Sequence, residues 1–143
     1  MKNYTLVQAT KADFDILLKL RLMTMATHLE NAGLFLSEEQ HKARVYEGYA
    51  HCFLIHCNHQ IVGMLKYKEL PNSIYIMQLQ IFPAFQNKGV GRSVVTQLIQ
   101  NKQGKNIELT VLKDNPAKNL YERLGFIITG EDEHEYFMQR LIN

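Results

Sequence analysis

The sequence has no tryptophan, two cysteines, three prolines and no long apolar run in its 143 residues. A membrane-spanning helix needs ~20 consecutive, mostly apolar residues, so this absence predicts a protein without one. The N-terminal residues also lack the apolar core of a signal peptide. We therefore expect a cytoplasmic protein that has no membrane partner.

The two cysteines, Cys52 and Cys57, fall in one predicted strand. Their odd separation places them on opposite faces, and a strand of that length holds them ~16 Å apart, which is too far for a disulfide. The neighbouring His51, His56 and His59 suggest a metal site at first sight. Because ligands spread along one strand cannot converge on an ion, we expect reduced structural thiols and no metal.

The charge balance is equally uninformative about nucleic acid. Sixteen basic residues are interleaved with 14 acidic ones, which gives a formal net charge of +2. No basic patch is apparent, so we expect no nucleic-acid partner. A chain of this length, 46% hydrophobic and without repeats or linkers, is predicted to form one domain over residues 1–143.

Apolar periodicity and turn residues predict the order strand, two helices, three strands, helix, strand, helix, two strands. The first helix presents one mainly apolar face that includes Arg21. The predicted strands are Tyr4–Ala9, His51–Cys57, Gln60–Glu69, Ile74–Ile81, Ile107–Leu112, Phe126–Thr129 and His134–Gln139. The predicted helices run from Asp13 to about His28, from Ser37 to about Tyr49, from the second glycine of the central turn to Gln103, and from Asn115 to Gly125, and the last two strands flank an acidic turn at Gly130–Glu133.

The stretch Ile74–Gln103 predicts a strand, a glycine turn and an amphipathic helix. Gly89 and Gly91 stand at the helix start, where a backbone without side chains lets a ligand approach closely. The unpaired amides of a first helical turn, together with the helix dipole, form an anion site. Lys88 and Arg92 add two cations, so the turn suits a diphosphate.

Two common glycine motifs do not fit this turn. The nucleotide-triphosphatase loop requires Gly-Lys-Ser/Thr after an earlier glycine, whereas Gly91 is followed by Arg92 and Ser93. The dinucleotide motif requires a third glycine where Val94 stands. Neither a P-loop nor a Rossmann fingerprint is present.

The same segment resembles the cofactor motif of the GCN5-related N-acetyltransferases (GNAT family). That motif is Gln/Arg-x-x-Gly-x-Gly/Ala, preceded by a strand that ends in Leu-x-Val-x-Pro. Here the strand end is Leu79–Pro83, and the motif itself is Gln86-x-x-Gly89-x-Gly91. The predicted element order is also the one that this family uses, so the resemblance extends over essentially the whole chain.

The resemblance implies a fold and a co-substrate. The fold would be an α/β (α+β) single-domain acyl-CoA acyltransferase fold, with a mixed, mostly antiparallel central sheet flanked by helices. In that family the central strand and the parallel strand that follows splay apart to admit the pantetheine arm of acetyl-CoA. No metal is implied.

The resemblance also implies cofactor-binding residues. Main-chain groups of Leu79, Gln80 and Ile81 would hold the pantetheine arm, and the Ile81 amide would donate to the thioester oxygen. Asn115 would contact the same arm or serve as the N-cap of the last helix, two roles that compete for one side chain. The pyrophosphate would bind Gln86, Asn87, Lys88, Gly89, Val90, Gly91 and Arg92.

Tyr121 occupies the position where the family carries its general acid. A phenol with an ordinary pKa of ~10 can protonate the leaving thiolate if it is correctly placed. The alternative is a core role, because Ala117, Leu120, Tyr121 and Leu124 form one apolar helical stripe. We favour the acid role.

The sequence does not single out a general base. Gln78 and Gln80, which look exposed on the central strand, cannot accept a proton. Glu69, Glu30, His28, His134 and a water chain are alternatives.

We predict an N-acetyltransferase that transfers an acetyl group from acetyl-CoA to a primary amine in a ternary complex. A small-molecule acceptor is favoured, because acidic residues could attract a cationic amine. These residues are Glu30, Glu38, Glu39, Glu47 and the run Glu131–Glu135. The alternatives are a catalytically silent acyl-CoA binding module, an interaction domain without a ligand, and an acetyltransferase acting on protein N-termini or lysines. Exposed edge strands at the C-terminal hairpin would permit a homodimer.

Overall fold

Seven strands and five α-helices form the described part of the computed structural model, residues 3–141. The strands are β1 (Thr5–Gln8), β2 (Cys52–Cys57), β3 (Gln60–Glu69), β4 (Ser73–Ile81), β5 (Asn106–Leu112), β6 (Ile127–Glu131) and β7 (Glu135–Arg140). The helices are α1 (Phe14–Thr24), α2 (Ala26–Asn31), α3 (Glu38–Tyr46), α4 (Val90–Asn101) and α5 (Ala117–Arg123). The sheet order is β1-β2-β3-β4-β5-β7-β6, and only the β4/β5 pair is parallel.

The predicted fold class and the order of the strands are confirmed, but three helices lie between β1 and β2 where two were predicted. The first predicted helix is broken into α1 and α2, and the second, α3, ends early. The helix expected to reach His28 breaks at Met25, and Thr24 turns its hydroxyl back to the Leu20 carbonyl at 2.8 Å. Such back-bonding competes with the regular helix ladder. The second helix ends at Tyr46, because Glu47 is extended and Gly48 adopts a left-handed φ of 67°.

The C-terminal hairpin turns later than the sequence predicted. Gly130 and Glu131 belong to β6 and not to the turn. The turn begins at Asp132, whose carboxylate accepts hydrogen bonds from the amides of His134 at 2.9 Å and Glu135 at 2.7 Å. These two bonds hold the pKa of Asp132 below its ordinary value.

Helices cover both faces of the sheet and bury two separate apolar cores. On one face α1 and α3 pack with Cys52, Leu54 and Met64, while the larger core on the other face is filled from α4 and α5. Cys57 belongs to that larger core, so the two thiols do face opposite sides, as predicted, and both are free. Burial raises the pKa of the Cys52 thiol to about 11.

The central strand β4 contains a bulge that the sequence pattern did not indicate. Across β3 and β4, Lys66 pairs with Gln78 and Tyr67 with Ile76, which leaves Met77 without an opposite residue. An extra residue reverses the alternation of faces. Gln80 consequently points to the α1/α3 face and is only 4% exposed, so the expectation that it lies at the surface is wrong.

Beyond the bulge, β4 separates from β5. The parallel ladder joins Ser73–Ile76 to Asn106–Leu109, and no further pairs extend it across the described residues. Because the later halves of the two strands are not joined, an opening passes through the sheet at this place. The splaying implied by the family resemblance is therefore present.

One buried cation, Lys66 on β3, fixes the end of α3. Its side chain is 1% exposed, and its ammonium group donates to the carbonyls of Val45 at 3.2 Å and Glu47 at 2.6 Å, with a longer contact of 3.4 Å to that of Arg44. These carbonyls lack helical partners, and a cation also interacts favourably with a helix C-terminus. Lys66 therefore ties α3 to the sheet.

We expect the substitution Lys66→Met to lower the free energy of unfolding by about 2 kcal/mol, because hydrogen bonds to charged groups contribute ~1.5–3 kcal/mol. Methionine fills a similar volume but donates nothing to the three carbonyls. Urea denaturation would measure the change. Lys68→Met is the matched control, since Lys68 lies exposed on the same strand; equal losses in both variants would contradict the assigned role.

β6 forms one edge of the sheet and exposes Ile127 and Ile128. The homodimer suggested by this edge remains a prediction. Within residues 3–141 no helix has the length and apolar character needed to cross a membrane.

Candidate active site

The opening between β4 and β5 is part of a cavity of about 350 Å³. This volume lies within the usual range for small-ligand pockets. Side chains from both faces of the sheet line it, so the cavity passes through the sheet. The lining comprises residues 75–80 of β4, residues 109–112 of β5, Asn115, Ala117, Tyr121 and Glu135, and on the opposite face Arg21, Met25, Leu29, Arg44, Glu47 and Lys66.

The glycine turn leaves the first amides of α4 without acceptors. Gly89 is the N-cap, with a left-handed φ of 82°, and no side chain caps the helix. The first helical bond runs from Ser93 to the Gly89 carbonyl at 3.0 Å, so the amides of Val90, Gly91 and Arg92 precede the ladder. A Cβ on Gly91 would lie 3.2 Å from Leu120 of α5, so this glycine allows the close approach of the two helices.

The polar residues beside these amides are exposed, and the side chain of Gln86 forms a hydrogen bond to the main chain. Lys88 and Arg92 both face solvent and form no ion pair with the part of the chain described. Asn87 has a left-handed φ of 61°. The Gln86 amide group donates to the Ile81 carbonyl at 2.9 Å, so this side chain fastens the turn to the end of β4.

The main chain at the end of β4 presents amides toward the opening. The Phe82 amide donates to the Val62 carbonyl on β3 at 2.9 Å. Because successive amides of a strand point to opposite sides, those of Ile81 and Leu79 point away from β3. Leu79 and Gln80 line the cavity, whereas Ile81 lies just beyond its lining.

Tyr121 belongs both to the core and to the cavity wall. It is 5% exposed, and its ring packs against Phe126 with centroids 5.5 Å apart. The residue also lines the cavity. Burial raises the pKa of its phenol well above the ordinary value, so the group keeps its proton at neutral pH. The two roles considered for Tyr121 are therefore compatible.

Asn115 likewise has two roles open to it, as a helix cap and as part of the cavity wall. Its side-chain oxygen accepts the Ala117 amide at 3.0 Å, and the residue lines the cavity. The helix begins at Ala117, so Pro116 precedes α5 and is not its first residue. The Asn115 side-chain oxygen is engaged as a cap, which leaves its amide group for a ligand.

The side chains considered as general bases lie away from the cavity. Glu69 contacts Lys102 at 3.1 Å and Lys105 at 2.6 Å, and these two lysines lower the pKa of its carboxyl. His28 has its Nδ1 atom 3.8 Å from Asp114, too long for a hydrogen bond. Neither these residues nor Glu30 and His134 line the cavity. Among residues 3–141, its lining includes the carboxylates Glu47 and Glu135.

The acids expected to attract an amine are largely engaged elsewhere. Glu38 and Glu39 lie 4.0 and 3.3 Å from Lys42, and Glu131 lies 3.3 Å from Lys113. Two acids of that group, Glu47 and Glu135, line the cavity.

The α1/α3 side of the cavity is instead rich in cations that no sequence motif marked. Arg21, Arg44 and Lys66 all line it. Arg21 is 4% exposed, and its Nε donates to Nδ1 of buried His41 at 3.0 Å. Burial and then Arg44 lower the pKa of Arg21 to about 10, and burial and then Arg21 lower the pKa of His41. In the sequence, the one indication of this cationic cluster was an arginine, Arg21, within the apolar face of the first helix.

The histidines and cysteines of β2 do not form a metal centre. The described part of the chain contains no group of three or more His, Cys, Asp or Glu side chains arranged to hold an ion.

The described residues thus form a sheet that is open between β4 and β5, beside an uncapped glycine turn. A family model described as an acetyltransferase (GNAT) domain matches residues 23–137. The chain therefore belongs to the GNAT acetyltransferase family, whose members are acetyl-CoA-dependent transferases.

Solved structures show the same fold over nearly the whole chain. A PaiA N-acetyltransferase from Thermoplasma acidophilum, in complex with coenzyme A, has a TM-score of 0.73 at 14% identity and covers 96% of this chain and 98% of its own. An acetyltransferase from Thermus thermophilus gives 0.78 at 19%, covering 96% of each chain. The ribosomal-protein-S18-alanine N-acetyltransferase from Escherichia coli gives 0.72 at 19%, covering 99% and 95%. At these identities the likeness concerns the fold alone.

A curated relative matches a shorter stretch. The cysteine-rich protein 2-binding protein of Mus musculus is 36% identical over 55 residues, which are 38% of this chain and 7% of that protein. The chain thus aligns with a small fraction of the relative's length.

Proposed function

We propose that this protein transfers the acetyl group of acetyl-CoA to a primary amine of a small molecule, by direct attack in a ternary complex. The observation that carries the proposal is the cavity that passes through the sheet. Ala117 and Tyr121 of α5 line it on the face that carries α4 and α5, and Arg21 and Arg44 line it on the face that carries α1 and α3. Two substrates that enter from opposite faces would therefore meet in the opening.

The residues present fit the coenzyme on chemical grounds. The free amides of Val90, Gly91 and Arg92, with the helix dipole, suit a diphosphate, and Lys88 adds a cation. The unpaired edge of β4 offers main-chain partners to an amide-containing pantetheine arm. Bound acetyl-CoA supplies the activated acyl group as a thioester.

The chain's own groups then assist three steps. The Ile81 amide donates toward the thioester oxygen as negative charge develops on it, while the Leu79 amide, about 6.6 Å away along the strand, is left for the pantetheine arm. Tyr121 holds the proton that the departing thiolate needs. Glu47 or Glu135 takes the proton released by the attacking amine, directly or through water.

The acceptor is proposed to be small because the cavity of about 350 Å³ has to hold the end of the pantetheine arm as well. The covering helices α1 and α3 also restrict the approach from this side. A panel of free amines and N-terminal peptides, assayed by the release of coenzyme A, would separate this proposal from transfer to proteins. Binding of the coenzyme without any transfer would favour the silent binding module.

The first experiment is a calorimetric titration with acetyl-CoA of the wild type and of Gly89→Glu. We expect the dissociation constant to rise at least about tenfold in the variant, because a carboxylate placed among the free amides repels a diphosphate. A Cβ at Gly89 meets no atom within 4 Å, so the substitution has room.

Gly104→Glu is the matched control for this titration. Gly104 has a similar left-handed φ of 86° and equally open surroundings, but it lies beyond the other end of α4, ~18 Å away. It should carry the same backbone strain and leave the dissociation constant unchanged. A wild type that folds and does not bind acetyl-CoA would remove the proposal.

Tyr121→Phe should reduce kcat by about 10²-fold or more, the usual contribution of a general acid. The variant keeps the ring that packs on Phe126, so the KM for acetyl-CoA should change little. Because the pKa of Tyr121 is raised, its proton remains in place as the pH rises, and the wild type should show no loss of rate between pH 7 and 9 from this group.

Tyr75→Phe provides the comparison, since Tyr75 is another phenol of the cavity wall and lies 3.3 Å from the Thr110 hydroxyl. It should retain most of the activity. Equal rates for wild type and Tyr121→Phe would assign Tyr121 to packing alone.

A further inference from the structure

We propose that the acceptor carries an anionic group, a carboxylate or a phosphate, which Arg21 and Arg44 bind on the α1/α3 side of the cavity with help from the Gln80 side chain. This inference rests on the proposed transferase function and adds the substrate class. It replaces the expectation from sequence that acidic residues attract a purely cationic amine.

Arg21 carries a buried charge that has no carboxylate within ion-pair distance in the described chain. Its Nε donates to Nδ1 of His41, which must be an unprotonated nitrogen in order to accept, so the partner is a neutral imidazole. A buried arginine normally has an anionic partner, and Arg21 lines the cavity from which one could come.

Gln80, which lines the same recess as Arg21, has a hydrogen-bond donor that is unpartnered within the described residues. The Gln80 side chain is 4% exposed, and its Nε2 atom has no hydrogen-bond partner in the structure. Gln80 lines the main cavity and, together with Arg21 and Gln78, a smaller recess that adjoins it. A buried amide nitrogen without an acceptor is costly, and an oxygen of a bound carboxylate or phosphate would satisfy it.

The remaining charges on this side favour an anion as well. Lys66 uses its ammonium protons on the carbonyls at the end of α3, so it contributes positive charge and no direct contact. Arg44 is exposed and has no ion pair in the described chain. The charge of Glu47 acts on both Arg21 and Lys66 and partly opposes the lowering of each pKa by burial, so it offsets one of the three positive charges without forming an ion pair with Arg21.

This anion site is distinct from the proposed diphosphate site. None of residues 86–92 lines the cavity, whereas Arg21, Arg44 and Gln80 all do. The turn at Gly89 begins α4, which packs on the opposite face of the sheet from α1 and α3. An anionic group at Arg21 therefore belongs to the second substrate.

The test compares matched acceptors that differ in one anionic group. The pairs are α-amino acids with their carboxamides, and O-phosphoethanolamine with ethanolamine. Transfer is followed by release of coenzyme A, and binding to the coenzyme-free and acetyl-CoA-saturated protein is followed by calorimetry. The two sets of pairs distinguish a carboxylate from a phosphate. We expect at least one anionic member to have a kcat/KM about tenfold or more above that of its neutral partner.

Variants assign the preference to the site. Arg44→Gln should reduce the preference at least about fivefold, Arg44→Lys should retain part of it, and neither should alter the dissociation constant of acetyl-CoA. Arg44 is exposed, so these proteins should fold. Lys19→Gln is the control, since it removes an exposed cation from α1 outside the cavity lining.

The outcomes separate the two proposals. Equal use of charged and neutral members, an unchanged preference in Arg44→Gln, or no binding of any anionic probe by a protein that binds acetyl-CoA would overturn the anion site alone. If acetyl-CoA does not bind, the transferase proposal fails. The direct titration with anionic probes then still decides whether Arg21 and Arg44 form an anion site.

Discussion

The site depends on the place where β4 stops pairing with β5. Four residues of each strand form a parallel ladder, and beyond Ile76 the strands separate. Unpaired backbone groups inside a sheet are unfavourable unless a partner satisfies them, so the separation offers main-chain partners to the pantetheine arm in the function proposed above. The bulge at Met77 accompanies it and turns the glutamines of β4 toward α1 and α3. The wall of the cavity therefore has two parts: the unpaired main-chain edge of β4, and a polar face formed by the side chains that point toward α1 and α3.

The polar face contains two buried cations, Arg21 and Lys66, and each needs hydrogen-bond partners to be stable there. The ammonium group of Lys66 donates to the last carbonyls of α3, and the guanidinium of Arg21 donates to His41, which also belongs to α3. The residues that attach α3 to the sheet and to α1, Lys66 and Arg21, are therefore also residues that make this side of the cavity cationic. A buried charge costs stability unless it is paired; Lys66 is satisfied by carbonyls, whereas Arg21 has only a neutral partner in the described chain, which is the basis of the proposed anion site. The short, broken helices α1 and α2 complete the wall with Met25 and Leu29.

Much of the fold was predictable because its signals are local. Period-two and helical patterns located all seven strands and the core helices, and the glycine turn with its flanking cations was found from a few adjacent residues. Gln80 was misplaced because a polar side chain was expected at the surface, whereas the bulge at Met77, which shows no mark in the sequence, turns it into a buried polar cluster beneath α1 and α3. The contact of Arg21 with His41 joins residues 20 positions apart, and Lys66 reaches carbonyls 19 to 22 positions away. Such contacts depend on packing, so no motif predicts them.

The position of Tyr121 shows why burial must be considered for both partners of a proton transfer. A raised pKa keeps the phenol protonated, yet it also makes the phenol a weaker acid toward a thiolate of ordinary basicity. Desolvation disfavours any anion, so it also raises the pKa of a thiol; burial on the other face of the sheet raises the pKa of the Cys52 thiol to about 11. A thiolate formed where the bound substrates exclude water is therefore more basic than in water. The acid role of Tyr121 thus requires a cavity that excludes water when both substrates are bound, and this is the condition that the covering helices α1 and α3 help to provide.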